Sequence, residues 1–139
     1  KKYSLQICRF LTANTDELKK RYTMKNTLTY QEALEIYTFM QENLDRTDED
    51  IVEIYNRMLQ KAIRYANIRA EWHILTREEK AEKDASRSML HDSFISSINI
   101  IARTEGEIGT QWREQLTDDR KRIGDFACYI ALFLAIDAR

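Results

Sequence analysis

The 139-residue chain contains no proline, three glycines, two cysteines and two histidines, and each scarcity narrows what it can be. Without proline, and with glycine only at Gly106, Gly109 and Gly124, few breaks are obligatory, so helices can run until side-chain caps end them. Cys8 and Cys128 are too few for the disulfide framework of a small secreted domain. Each sits in an apolar, helix-like context and reads as a small core hydrophobe in a reducing cytoplasm, with a bridge between the terminal helices as the open alternative. His73 and His91 exclude a ferritin-like di-iron centre, which wants Glu-x-x-His on two helices, because position 70 is Ala and position 88 is Ser. Long apolar runs are also missing. The longest, residues 126–136, falls short of the roughly 18–20 residues a bilayer span requires. No signal-peptide pattern opens the chain at Lys1-Lys2, although the first residue is not Met and a removed leader stays open.

What is present is typical of a globular chain: 43% hydrophobic and 32% charged residues with a net charge of −1. That balance excludes disorder and gives no global electrostatic case for nucleic acid. The charge is segregated, however. Residues 1–30 carry seven Lys/Arg against two Asp/Glu, residues 31–60 carry two against eight, and the remainder balances. A basic first helix packed beside an acidic second and third is the simplest arrangement.

Helical periodicity runs through the whole chain. A first helix is expected over residues 3–22, with Ile7, Phe10, Leu11, Leu18 and Tyr22 on one face. Thr29 with Glu32 has the spacing of a capping box and opens a second, striped by Ala33, Ile36, Tyr37, Met40 and Leu44. Thr47 with Asp50 opens a third, striped by Ile51, Ile54, Tyr55, Met58, Ala62 and Tyr65 and reaching about Trp72. Thr76 with Glu79, another capping box, opens a fourth that ends near Arg103; its first half is polar and projects into solvent. Residues 105–110 break it through Gly106 and Gly109, and a fifth helix starts near Thr117-Asp118. Residues 126–136 are apolar on every face, as in a helix surrounded by others or shared with a second subunit. The expectation is therefore a single all-α domain spanning residues 1–139, a compact four- to five-helix bundle with its C-terminal helix at the core or in a dimer interface.

Candidate chemistry is sparse. Glu32, Glu35, Asp50 and Glu53 pair carboxylates one turn apart on successive helices, resembling the pattern by which all-α nucleotide pyrophosphohydrolases hold Mg²⁺ against a triphosphate, although the second pair has its residue types in the reverse order. The same positions are first turns, where acidic residues satisfy the helix dipole. His91-Asp92 matches the doublet of HD-type phosphohydrolases, but the chain lacks the further histidines such a site needs. A zinc site of His91, Asp92 and a thiol has no supporting spacing, and His91 reads as a polar residue at the core edge. Arg120, Lys121 and Arg122 form the densest basic cluster of the second half. Lying in a first turn, they point to an anion or an acidic partner, or else to local pairing with Asp118, Asp119 and Asp125. Nucleic acid, using that cluster with Lys19, Lys20 and Arg21, is the weaker reading, since no helix-turn-helix pattern accompanies it. Trp72 and Trp112 read as core or connection anchors, Trp112 beside a binding surface if one exists. No catalytic residue and no cofactor is implied.

Taken together, Leu90-His91-Asp92, Ile98-Asn99, Arg103, Trp112-Arg113 and the segment from Arg120 to Cys128 resemble a small all-helical family of unknown function from low-GC Gram-positive bacteria. The resemblance implies an α-helical bundle in a bacterial cytoplasm and carries over no activity, ligand or catalytic residue. The expected function is a non-catalytic interaction or regulatory protein, whose partner is a protein or a second copy of itself. A Mg²⁺-dependent nucleotide hydrolase is the alternative.

Overall fold

Caps set the helix starts. The computed structural model describes residues 27–116 and 119–138, among which lie five α-helices and no strand: α1 (Tyr30–Glu42), α2 (Glu49–Glu71), α3 (Arg77–Thr104), α4 (Gly106–Leu116) and α5 (Arg120–Asp137), with a 3₁₀ turn (Trp72–Ile74) extending α2. The expected helix over residues 3–22 lies outside the described residues. Both capping boxes form: Thr29 and Glu32 at α1, and Thr76 and Glu79 at α3, each exchange side-chain-to-backbone bonds.

Three boundaries differ from the sequence expectation. The N-cap of α2 is Asp48, not Thr47; its carboxylate accepts from the Asp50 and Ile51 N–H groups, while Thr47 donates to Asp45. A carboxylate at this position meets the free N–H groups and the positive end of the helix dipole together. Similarly, α5 is capped by Asp119, past the expected start. The third difference is the largest. Residues 105–110 are not an extended break: Glu105 ends α3, Gly106 alone turns the chain with φ +65°, and α4 begins at once. Gly109 lies inside α4, where a Cβ would overlap the Ala102 carbonyl. Its missing side chain brings α4 against α3 instead of breaking a helix.

Contacts give the directions. Lys61 meets Ser97, Tyr65 meets His91 and Trp72 meets Arg87, so α2 and α3 form an antiparallel hairpin. Arg113 meets Asn99, so α4 folds back along α3. Tyr30 meets Tyr129 and Phe133 of α5 edge-on and Tyr37 packs tilted against Phe133, which makes α1 and α5 parallel. The final helix packs against all four others and buries eleven of its 18 residues, which places it at the centre of the bundle. Around it, Leu28, Ile36, Met40, Met58, Phe94, Ile98, Trp112 and Leu116 are fully enclosed. Residues 77–89 of α3 run beyond the level of His91 and Arg120 and are exposed or half-buried throughout. No helix among the described residues is long and apolar enough to cross a membrane.

The two glycines separate by substitution. Gly109→Ala drives a methyl into the Ala102 backbone and is expected to cost more than about 4 kcal/mol of unfolding free energy, the range of severe overpacking. Gly106→Ala meets open space and costs the left-handed conformation alone, about 1–2 kcal/mol. Urea denaturation of both variants checks the order; equal losses would contradict it.

Candidate functional site

The polar groups of the bundle gather where α5 begins. In α5 the chain places Arg122 and Asp125 on a helix surrounded by neighbours, and both are buried. Asp125 accepts from Arg69 of α2 at 2.7 Å and from the Leu28 N–H at 3.1 Å, and Lys121 stands 3.6 Å away. Arg122 donates to the carbonyls of Thr27 and Gln115 and lies 3.5 Å from Glu32. Arg69 also approaches the Cys128 thiol at 3.7 Å. That cysteine is free, and burial pushes its thiol above the usual range against the pull of Arg69. Cys8 lies outside the described residues.

Arg120, Lys121 and Arg122 therefore do not act as one basic patch. Arg120 pairs with Asp92 at 3.0 Å on the surface, Lys121 leans toward Asp125, and Arg122 turns inward to hold the chain before α1 and the end of α4. Its guanidinium offers donors in several directions, which suits it to collect backbone carbonyls that end or precede helices. Of the three, only Arg120 and Lys121 reach solvent, each beside a carboxylate.

His91 is buried. Its Nε2 donates to the Arg120 carbonyl at 2.8 Å, its ring meets Tyr65 edge-on, and its Nδ1 is buried with no partner among the described residues. Burial lowers its pKa, and the cations Arg120 and Arg69 add to that against the opposing Arg120 carbonyl and Asp92. Asp92 is exposed and taken up by Arg120, so the two members of the doublet serve separate contacts.

The carboxylates of the nucleotide-hydrolase pattern do not converge. Glu32 is committed to its cap and to Arg122. Glu35 is exposed and bonded to Gln31, Asp50 is exposed in a first turn, and Glu53 pairs with Arg57 one turn on along its own helix. Among the described residues no group of three or more His, Cys, Asp or Glu is placed to hold a metal.

Trp112, expected near a connection or a binding surface, is fully buried in α4. Its indole N–H donates at 2.8 Å to Glu105, a residue the sequence reading passed over. The signal was available: a glutamate before a helix-ending glycine, with tryptophan two turns later, puts a carboxyl where a buried indole needs an acceptor. The second carboxyl oxygen of Glu105 is buried without a partner among the described residues, and burial pushes its pKa up to about 7, opposed by the Trp112 bond.

Two pH responses follow. Glu105 binds its proton more tightly folded than unfolded, so its contribution to stability is full below about pH 4.5 and is lost as pH rises through about 7. Glu105→Gln should melt above the parent at pH 8 and with it at pH 5; the same offset at both pH values would contradict this. His91 has the opposite sign. Its folded pKa lies below 6.5, so the stability it contributes is present above pH 6.5 and lost as pH falls through the folded value. His91→Gln should therefore remove part of the acid-side loss, read from urea midpoints between pH 7 and pH 5 after subtraction of the parent curve. Against known proteins, no family model, curated protein or solved structure matches this chain.

Proposed function

We propose that this chain is a non-catalytic helical-bundle protein of the bacterial cytoplasm, acting by binding another protein. The observation that carries this reading is the α2–α3 hairpin. Its end stands beyond the start of α5 and bares Ile74 and Met89 at 70% and 71% exposure. Between them Arg87 lies over the Trp72 ring, 4.5 Å from its centroid. Large apolar side chains this open have no role in the core, and two on one projecting element suit a contact surface. The buried polar residues meanwhile hold helix to helix, so substituting them is expected to change stability before any activity. The resemblance of the second half to a Gram-positive helical family supports the bacterial setting.

A photo-crosslinking residue at position 89 tests the reading in cells of the source organism. The expected result is one discrete heterologous adduct, absent from a control at Glu82, whose purified partner then binds saturably at one-to-one stoichiometry. Crosslinks to a second copy of the chain alone would favour a homodimer. Turnover of a nucleoside triphosphate with Mg²⁺, lost in Glu35→Gln, would overturn the non-catalytic reading altogether.

A further inference from the structure

The outer edge of α2 carries Arg57, Lys61 and Arg64, spaced so that one stripe of the helix holds three cations within about 10 Å. This stripe borders α3, where Lys61 donates to the buried Ser97 hydroxyl at 3.3 Å. Ser93 and Ile100 follow on the same edge of α3 at helical spacing, Ile100 with 37% of its surface exposed. Arg57 has Glu53 as a partner, whereas neither Lys61 nor Arg64 has a carboxylate within ion-pair distance among the described residues. Like charges one turn apart destabilise a helix. The Lys61 ammonium shows the strain: partial burial lowers its pKa, and Arg57 and Arg64 lower it further. The fold gains little from this arrangement, because a hydroxyl contact could be made by an uncharged side chain.

We propose that the groove between α2 and α3 is the docking site for an acidic, amphipathic helix of the partner protein. This rests on the reading of the chain as a protein-binding bundle and names the chemistry of its partner. Two antiparallel helices present a groove that accepts a third helix, and cations at i, i+4 and i+7 match carboxylates repeated at the same interval. Ile100 supplies apolar contact beside them, which exposed ion pairs need, since each contributes little alone. A nucleic acid fits worse. Asp48 caps α2 and Glu49, Asp50 and Glu53 occupy its first turns, so a phosphodiester backbone following the stripe would run into like charge.

The test uses the whole chain and a fluorescein-labelled helical peptide bearing glutamates at i, i+4 and i+7 beside a leucine stripe. Anisotropy should report saturable binding that weakens about tenfold or more in the triple variant Arg57→Gln, Lys61→Met, Arg64→Gln, and weakens with added salt. Lys61→Met alone should hold or raise the melting temperature, which separates lost charge from lost folding. Undiminished peptide binding by the triple variant, no binding at millimolar peptide, or tighter binding of a short DNA duplex or of tripolyphosphate would each overturn the proposal. A crosslinked partner that binds parent and triple variant alike would fail this inference and leave the protein-binding reading standing; loss of both the partner and the peptide would remove that reading too.

Discussion

The Asp125 carboxylate accepts from the Arg69 guanidinium and from the backbone N–H of Leu28, while Arg122, one turn earlier, holds the carbonyls of Thr27 and Gln115. These contacts join α5 to α2, to the chain before α1 and to the end of α4. A helix apolar on every face gains about as much burial in one rotation as in another, so hydrophobic packing alone leaves its register loosely specified. A buried carboxylate facing a guanidinium has no such freedom, because turning it toward an apolar neighbour strands a charge. The two residues thus convert a central apolar rod into an element with one orientation. The Thr27–Leu28 backbone is gripped from both sides, and the parallel course of α1 along α5 follows.

Much of this fold was legible in the chain. Thr29 with Glu32 and Thr76 with Glu79 mark helix starts through local chemistry, and local chemistry can be read without neighbours. The stripes of α1 and α2 gave the buried faces almost residue for residue, with Ile36, Met40, Met58 and Ala62 all enclosed. The uniformly apolar tail offered two settings, and within the chain its surroundings place it in the core. What stayed hidden was tertiary. Arg122 looked like part of an exposed basic cluster because sequence cannot show which of three adjacent cations faces inward. Gly109 looked like a breaker because a glycine chosen for close helix contact and one chosen for a turn are the same letter. Asp48 took the cap from Thr47 because either side chain suits that position and the competition is settled by backbone path.

Glu105 illustrates how one unplaced residue can reorganise a local picture. The turn at Gly106 sends α4 straight back along α3, and the close approach at Gly109 presses the two together. Trp112 is thereby enclosed, and its indole N–H must find an acceptor inside. Glu105, at the end of α3, supplies one oxygen and leaves the other without a partner among the described residues. Near neutral pH a protonated carboxyl serves that indole at lower desolvation cost than a carboxylate would. The hairpin of α3 and α4 therefore contains a group whose charge state and packing are linked, far in sequence from the ion pairs of α5.

The cations of α2 divide along the same line between fold and surface. Arg69 faces the centre and is explained by Asp125. Arg57, Lys61 and Arg64 lie on the edge toward α3, where one exposed glutamate and one serine hydroxyl are their company. A bundle already oriented by Arg69, Arg122 and Asp125 needs nothing from that edge for its own geometry. Mutual repulsion along a helix lowers stability, and a chain free of other demands on this surface would be more stable with neutral residues there. The edge stripe, like the exposed Ile74 and Met89, is thus a feature of the described structure that the fold does not account for, and on the proposed reading its complement is an acidic helical surface.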